Sequence, residues 1–337
     1  MTAGKDAEVK QPKKTTRMRV LVTGGAGFIG SHIVDALIEE GHHVCVIDNL
    51  STGFQQNLNP GAIFYNIDLQ EPELGPILER EKPDVVIHEA AQTVVTRSVR
   101  DPGYDARINI LGSLNLIDAC MKAGTSRIVY ASSCAVYGAP DYLPIDEYHS
   151  LNCMSPYGVS KHTVEDYLKV YHAMSGLQYC ALRYANVFGP RQNPESEAGV
   201  VAIFTNQMLS GRQPVIFGDG NKTRSYVYVG DIVRANLFAL YSKYCGIMNI
   251  GTERETTDTE IFQRLAHLCN YKGLPEYQKL RSGEITRMCL DSTRAEKEIA
   301  WRPVTSLNDG LSATVDYYRK VWSPSFTNSP LLNIQLT

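Results

Sequence analysis

The chain has 337 residues, of which 43% are hydrophobic and 20% charged, and a formal net charge of −3 at pH 7. This length suits one large α/β unit or two packed lobes, and the charge excludes a bulk electrostatic preference for nucleic acid or an anionic membrane. No apolar run approaches the roughly 20 residues of a membrane span, and we expect no signal peptide. The eight cysteines form no C-x-x-C pair, which argues for a reducing, cytoplasmic setting without zinc or disulfides.

The first ordered segment predicts a dinucleotide site. Residues 1–17 have the composition of a disordered tail, and a buried strand is expected at 18–23, followed by a glycine-rich turn, a helix and a second strand ending at Asp48. Glycines let the backbone turn sharply and approach a pyrophosphate, which the helix N-terminus then stabilises. Asp48 can bind an adenosine ribose and would repel a 2′-phosphate, so NAD is favoured over NADP. The predicted turn contacts are Gly24, Gly27, Phe28, Ile29 and Gly30.

Strands and helices continue to alternate to about residue 185. Further strands are expected at 63–67, 84–88, 127–131 and 179–183, with helices over about 102–123 and 157–175. Repeated βα units of this kind predict a doubly wound parallel sheet, in which ligands bind at the carboxyl ends of the strands. Asp68 can meet the adenine there, and the small Ala90 and Ala91 let backbone pass close to the cofactor. Leu69 and Gln92 follow the same strand ends.

The pattern loosens after about residue 186, where glycine, proline and polar residues increase. Short strands are expected at 214–217, 223–229 and 248–250, and helices near 231–243, 259–270 and 308–321. We predict a smaller α+β substrate lobe over 186–322, with segments about 226–252 returning to the first domain (18–185), and a loose tail over 323–337.

The segment Ser155-Pro156-Tyr157-Gly158-Val159-Ser160-Lys161 predicts the reacting centre. On a helix starting near Pro156, Tyr157 and Lys161 lie one turn apart on one face. A lysine there is expected to stabilise tyrosinate and to lower the pKa of the phenol toward neutrality, as a general base requires. Such a pair alone is usually a surface tyrosine beside a lysine, but the dinucleotide pattern before it favours catalysis.

Across about 300 residues the sequence resembles the extended short-chain dehydrogenase/reductase family. The motifs are TGGAGFIGSH at 23–32, DNLSTG at 48–53, HEAAQ at 88–92, YASSCAVYG at 130–138, YGVSK at 157–161 and LRYANVFGP at 182–190. The segments at 216–231 and 281–295 are most similar to those of UDP-glucose 4-epimerases and related UDP-hexose 4-epimerases. The resemblance implies an NAD-binding Rossmann lobe and inversion of carbon 4 of a UDP-hexose through a transient 4-keto sugar. It also implies a homodimer joined through the helices near 103–122 and 157–175.

The resemblance further implies a role for each motif residue. Tyr157 would be the general base for the sugar 4-hydroxyl, Lys161 would bind the nicotinamide ribose, and Ser133 would hydrogen-bond the 4-oxygen and relay its proton. Additional cofactor contacts would come from Asn49, Leu50, Ser51, Thr52, Gly53, Asn109, Ser132 and Tyr184. Substrate contacts would come from Arg224 and Arg281 (diphosphate), Glu284 (nucleoside ribose), Asn186 (phosphate or sugar), Phe217 (uracil) and Met288 (sugar 2-substituent pocket).

Some positions depart from the family pattern and leave alternatives open. Sugar 4,6-dehydratases and decarboxylating relatives carry an acidic residue where this chain has Cys134 and Ala135, which disfavours elimination; we interpret Cys134 as a packing residue. Ser225 replaces the usual aspartate that orients Arg224. Met288 is intermediate between an aromatic residue and a small one, so a UDP-N-acetylglucosamine 4-epimerase is the alternative. The histidines form no coherent metal-ligand set, and a dinucleotide-sensing regulator is the non-enzyme alternative.

Overall fold

The computed structural model describes residues 17–194, 199–281 and 284–321; almost all of the two predicted tails lies outside these ranges. The first half alternates strands and helices. Its elements are β1 (Arg19–Thr23), α1 (Phe28–Glu39), β2 (His43–Ile47), β3 (Ile63–Tyr65), α2 (Leu74–Glu81), β4 (Val85–His88), α3 (Val95–Arg100), α4 (Pro102–Ala106), α5 (Gly112–Ala123), β5 (Arg127–Ser133), α6 (Pro156–Ser175) and β6 (Gln178–Tyr184).

The second half has shorter strands. Its elements are β7 (Asn186–Phe188), α7 (Val200–Leu209), β8 (Val215–Phe217), β9 (Thr223–Arg224), β10 (Tyr226–Tyr228), α8 (Val229–Tyr241), β11 (Gly246–Ile250), β12 (Thr256–Thr257), α9 (Asp258–Cys269), β13 (Glu276–Gln278), α10 (Thr293–Ile299) and α11 (Leu307–Val321). Among the described residues, no helix is long and apolar enough to cross a membrane.

Seven parallel strands form the central sheet, in the order β3-β2-β1-β4-β5-β6-β11. The predicted doubly wound α/β fold is therefore confirmed. β11 comes from the second half of the chain and pairs with β6, so the segment around 246–250 returns to the sheet. Three two-stranded ladders, β7 with β10, β8 with β13 and β9 with β12, lie outside it.

Buried side chains cover both faces of the sheet because successive residues of each strand point to opposite sides. Val20 and Val22 of β1 pack with residues of α1 and α8. Leu21, between them, packs with residues of α2, α5 and α6. A third apolar cluster, built around Phe188, Phe204 and residues of α9 and α11, forms a separate core within the second half of the chain.

Two predicted elements are interrupted. The helix predicted over 102–123 is divided by a π-helical turn, Arg107–Leu111, where the Ser113 hydroxyl donates to the Asn109 carbonyl at 2.5 Å. The strand predicted over 223–229 breaks at Ser225, whose buried hydroxyl donates to the Thr252 carbonyl at 2.5 Å. In both cases a serine hydroxyl bonds to a backbone carbonyl, which a pattern of apolar residues does not reveal.

Candidate active site

A cavity of about 370 Å³ opens along the carboxyl ends of the central strands. This is where ligands bind in open α/β sheets. Most of the predicted site residues line it: Gly24, Gly27, Phe28, Ile29, Gly30, Asp48, Asn49, Ser51, Thr52, Asp68, Leu69, Ala90, Ala91, Gln92, Ser132, Ser133, Tyr157, Lys161 and Tyr184.

The glycine-rich turn between β1 and α1 is built for close backbone approach. Gly24 has φ +70°, and a Cβ there would lie 2.7 Å from the backbone nitrogen of Ala90. A Cβ on Gly30 would overlap the carbonyl oxygen of Gly24. α1 begins after Gly27 without a side-chain cap or an acidic residue in its first turn, so its N–H groups and positive dipole end remain available to an anion. This cradle fits a pyrophosphate.

Asp48 lines the cavity directly after β2. Its Oδ2 accepts from the Ala26 amide at 3.0 Å and its Oδ1 accepts from the Leu50 amide at 2.8 Å. Burial raises the pKa of this carboxyl, while the two backbone hydrogen bonds lower it. Leu50 and Gly53 do not line the cavity. Leu50 adopts φ 56° and a Cβ on Gly53 would meet Ala26 at 3.0 Å, so both residues shape the turn around Asp48.

The start of α6 places the Tyr157–Lys161 pair. The Ser155 side chain caps the helix by accepting from the Gly158 amide at 3.1 Å, and Pro156 occupies the first turn, as is common at helix starts. One helical turn then separates Tyr157 from Lys161, and both line the cavity. The predicted geometry of the pair is therefore what the structure shows.

Two contacts connect this pair to the end of β5. The Lys161 ammonium donates to the Ala131 carbonyl at 2.7 Å and lies 6.0 Å from the centre of the Tyr157 ring. The Ser133 side chain hydrogen-bonds Tyr157 and also accepts from the Ala135 amide at 3.2 Å. A hydroxyl, a phenol and an ammonium thus converge on one wall of the cavity, which is a set of groups that can move a proton.

The pKa values differ from the sequence-based expectation. Burial raises the pKa of Tyr157, the hydrogen bond with Ser133 lowers it, and neighbouring acidic groups raise it. Burial lowers the pKa of Lys161 to about 8. The predicted lowering of the phenol pKa is therefore wrong for the protein without its cofactor. Desolvation disfavours tyrosinate, and the Lys161 ammonium donates its hydrogen bond to the Ala131 carbonyl.

A buried ion pair anchors α6 to the sheet. Glu165 accepts from both Nη2 and Nε of Arg183, at 2.6 and 2.8 Å, and from the Ser132 hydroxyl at 2.5 Å. Arg183 lies on β6 and Ser132 at the end of β5. The helix that carries Tyr157 is thereby fixed to two strands through well-formed charge-assisted hydrogen bonds.

Asn109 supports the site from behind the cavity wall. It is 2% exposed and does not line the cavity. Its Oδ1 accepts from the Gln92 amide at 2.8 Å, and its Nδ2 donates to the Gln92 carbonyl at 3.0 Å and to the Ser160 hydroxyl at 3.0 Å. The π-helical turn brings this side chain between β4 and α6, so Asn109 holds Gln92 in place.

The remaining predicted substrate residues lie apart from the cavity wall: Asn186, Phe217, Arg224, Arg281, Glu284 and Met288. Two of them pair with each other, since the Arg281 guanidinium lies 4.0 Å from the centre of the Phe217 ring. The Arg224 guanidinium donates to the carbonyls of Thr223 and Ile285 at 2.8 and 2.7 Å. These carbonyls orient Arg224, while Ser225, at the usual aspartate position, bonds Thr252 instead.

The positive charge of Arg224 nevertheless acts on a residue next to the catalytic candidates. Burial raises the pKa of Cys134, the residue after Ser133, to about 11, while the positive charge of Arg224 acts to lower it. Asn186, on β7, donates its amide to the Ser225 carbonyl at 3.0 Å. Ala185 and Val187, on either side of Asn186, line the cavity, so the start of β7 borders it.

Glu284 and Met288 make contacts that the sequence does not predict. The Glu284 carboxylate accepts from the Lys222 ammonium at 2.5 Å, and Lys222 also pairs with Asp258 at 3.2 Å. Met288 is 2% exposed and packs within the core on the α1 and α8 side of the sheet. Its role as a gate to the sugar pocket stays a prediction, because its side chain lies off the cavity wall.

Several cavity residues were missed by sequence reasoning. Glu89 lies inside the HEAAQ motif, and Arg191 and Gln192 directly follow LRYANVFGP. Their position immediately after strand ends was the available signal. Arg97, whose guanidinium lies 4.1 Å from the Tyr104 ring centre, also lines the cavity with Tyr104, and no motif marks either residue.

Comparison with known proteins decides the family. The model of the NAD dependent epimerase/dehydratase family matches residues 20–251. The chain belongs to this family. A relative from Mycolicibacterium smegmatis, UDP-glucose 4-epimerase, is 41% identical over 309 residues, which cover 90% of this chain and 99% of the relative. The NAD dependent epimerase/dehydratase family consists of enzymes related to the extended short-chain dehydrogenases, as the sequence motifs predicted.

Two solved structures share the fold. UDP-glucose 4-epimerase from Thermotoga maritima, solved with UDP-glucose, superposes with a TM-score of 0.89 at 45% identity and covers 91% of this chain and 100% of its own. UDP-N-acetylglucosamine 4-epimerase from Methanobrevibacter ruminantium, in complex with UDP-N-acetylmuramic acid, gives a TM-score of 0.87 at 36% identity, covering 91% of this chain and 99% of its own. As a member of the NAD dependent epimerase/dehydratase family, this enzyme uses NAD, which the glycine cradle and Asp48 fit.

Proposed function

We propose that the enzyme is a UDP-glucose 4-epimerase, which interconverts UDP-glucose and UDP-galactose through a transient 4-keto sugar. The observation that carries the proposal is the convergence of Tyr157, Ser133 and Lys161 on one wall of the cavity. The similarity to UDP-glucose 4-epimerases over about nine-tenths of the chain supports it.

The proposed chemistry assigns the proton to the protein. Tyr157 takes the proton of the sugar 4-hydroxyl as the carbonyl forms and returns it when the hydroxyl is restored, and Ser133 relays it. Lys161 holds the nicotinamide ribose and offers a positive charge beside the phenol. NAD⁺, when bound, supplies the hydride acceptor and a further positive charge. That charge favours tyrosinate and acts against the burial that raises the pKa of Tyr157.

The smaller lobe (186–322) is proposed to hold the UDP group, and residues 18–185 with the returning β11 to hold the NAD. Arg224 and Arg281 are suited to the diphosphate, since guanidinium groups bind phosphate oxygens in a bidentate manner. Phe217, already covered by Arg281, offers a flat apolar surface for the uracil. Asn186 would contact the phosphate or sugar, and Glu284 would bind the ribose after releasing Lys222.

The residues after Ser133 favour epimerisation over elimination. A dehydratase needs a carboxylic acid near carbon 6 of the sugar, and this chain has Cys134 and Ala135 there. Burial raises the pKa of Cys134 to about 11, so its thiol stays neutral at physiological pH. Neither residue supplies the acid, and the hydride therefore returns to carbon 4.

The first experiment incubates the purified protein separately with UDP-galactose and UDP-N-acetylgalactosamine and measures the C4 epimer formed from each. We expect conversion of UDP-galactose to UDP-glucose. Conversion of only the N-acetylated substrate would establish the second candidate, UDP-N-acetylglucosamine 4-epimerase, which the 36% identity to the Methanobrevibacter ruminantium enzyme favours. Formation of a 4-keto-6-deoxy product, or no reaction with either sugar, would contradict both assignments.

We further propose a homodimer joined through α5 and α6. Exposed apolar residues form one stripe on α6, since their spacing places them within about 80° of one another on the helix. They are Val159, Tyr167, Val170 and Met174, and Leu111 at the start of α5 adds to them. Met174 is 80% exposed, and a contiguous exposed apolar patch of this kind marks a protein–protein interaction site.

The oligomeric state tests this interface. We expect the double variant Val170→Asp/Met174→Asp to shift the protein from dimer to monomer in sedimentation velocity, because each buried carboxylate would lack a partner. Leu274→Asp is the matched control, since Leu274 is 78% exposed and lies on the smaller lobe. A monomeric wild-type protein, or a dimer that survives the double substitution, would contradict the proposed interface.

A further inference from the structure

Glu89 is a carboxyl in the cavity to which neither the motifs nor the proposed mechanism gives a role. It directly follows β4, which lies between β1 and β5 in the sheet. Asp48 and Asp68, after β2 and β3, mark the adenosine side of the cavity. Ser133, at the end of β5, marks the reacting side, so a dinucleotide that spans the cavity places its nicotinamide half on the side where Glu89 lies.

The hydrogen bonds of Glu89 leave its charge uncompensated by any ion pair. Its Oε1 accepts from the Tyr184 hydroxyl at 2.8 Å, and that hydroxyl accepts from the Asn236 amide group at 2.7 Å. Both partners are neutral. Within the described ranges no arginine, lysine or histidine lies within 4.0 Å of this carboxylate. Tyr184 fixes its position without neutralising it.

The two neighbouring buried carboxylates differ from Glu89, Glu165 because it is ion-paired and Asp105 because it lies off the cavity wall. Glu165 is paired with Arg183 at 2.6 Å. Asp105 accepts from the Gln92 amide group at 2.7 Å and does not line the cavity. Of the described acidic side chains around Lys161, Glu89 is therefore the one whose unpaired charge acts directly on the cavity.

The Glu89 carboxyl can carry that charge near neutral pH. Burial raises its pKa to about 7, while the Tyr184 hydrogen bond and the positive charge of Lys161 lower it. A second cation bound on the same side would favour the ionised form further, because an opposite charge stabilises a carboxylate. Near a protein surface or in its interior, two charges interact more strongly than they do in bulk water.

We propose that Glu89 is an electrostatic determinant of the cofactor's redox state, and that it favours oxidised over reduced nicotinamide. The oxidised ring carries a positive charge, and the ring becomes neutral when it gains a hydride, which brings two electrons and one proton. A fixed carboxylate therefore stabilises NAD⁺ relative to NADH. An enzyme that must end each cycle with NAD⁺ gains from this, since the hydride is returned to the sugar.

The reduction potential of the bound cofactor tests the proposal. Holoenzyme is equilibrated at about pH 8.5 with a redox dye of known potential, without any sugar, and NADH is measured by its fluorescence. We expect Glu89→Gln to raise the ratio of bound NADH to NAD⁺ at least tenfold, which corresponds to about 30 mV for a two-electron couple. Gln keeps an acceptor for the Tyr184 hydroxyl, so the contact network is retained.

Matched variants separate the effect of losing the Glu89 charge from the effect of a structural change. Glu89→Asp keeps the charge and should stay within threefold of the wild-type ratio. Glu147→Gln makes the same change at a buried carboxylate that accepts from the Asn249 amide at 2.7 Å outside the cavity, and should leave the ratio unchanged. If Glu89→Gln does not fold, Glu89→Met repeats the test without the charge.

Two results would overturn the proposal: a wild-type ratio in the charge-free variant, or an equal shift in Glu147→Gln. The inference rests on NAD binding and not on the identity of the sugar. Because no sugar is added, the measurement remains valid even if neither UDP-hexose reacts.

Discussion

Tyr157→Phe is expected to lower kcat for UDP-galactose epimerisation by about 10²–10⁴-fold, the usual contribution of general acid–base catalysis. The substitution removes one oxygen atom from a half-buried ring at the cavity wall and leaves the ring packing intact. Ser133 would lose its hydrogen-bond partner, but the Lys161 contact with the Ala131 carbonyl at 2.7 Å would remain. The measurement is the rate of UDP-glucose formation at saturating UDP-galactose.

The control is Tyr148→Phe, the same change on an 85% exposed tyrosine outside the cavity. It should leave kcat and the amount of bound NAD unchanged. Retained NAD with lost activity in Tyr157→Phe would also exclude a regulator that only senses the dinucleotide. Activity within tenfold of wild type in Tyr157→Phe would show that another group takes the proton.

The first half of the fold was predictable because its signals are local. The strand at His43–Ile47 is found as predicted, β1 and β4 each lack one predicted residue at the start, and β6 is one residue longer at each end. Each is a short apolar run bounded by polar or turn residues. The second half has two- and three-residue strands, such as Thr223–Arg224, whose pairing with Thr256–Thr257 depends on tertiary contacts. No local pattern specifies such pairs.

In the candidate site, too, local sequence signals locate some residues and not others. Residues that bind through backbone geometry or through spacing on one helix, such as Gly24, Tyr157 and Lys161, could be placed from sequence, and the structure brings them to one cavity. Arg281 and Phe217 could be named only by resemblance, and their stacking is a contact between distant parts of the chain. The direction of the Tyr157 pKa could not be predicted, because it depends on burial that sequence spacing does not report.

Gly30→Ala is expected to abolish stable NAD binding and to lower the free energy of unfolding by about 1–3 kcal/mol, the usual cost of overpacking a tight site. The added methyl group would overlap the Gly24 carbonyl oxygen and lie 3.0 Å from the Cα of Gly25. Both are backbone atoms, so no side chain can rotate away. The turn must open, which displaces the α1 N-terminus from the position where it meets the pyrophosphate. NAD retained after gel filtration and urea unfolding provide the two measurements.

Gly103→Ala separates this steric effect from the general effect of replacing a glycine. Gly103 is exposed in α4, and a Cβ there would meet its nearest atoms, on Arg107 and Asp101, at 3.5 and 3.6 Å, which is ordinary contact. Alanine is the better helix former by about 1 kcal/mol, so this variant should be slightly stabilised and should retain NAD. If Gly30→Ala behaved like Gly103→Ala, the turn would have enough freedom to accept a side chain. The closeness of Gly30 to the Gly24 carbonyl would then not be what restricts this position to glycine.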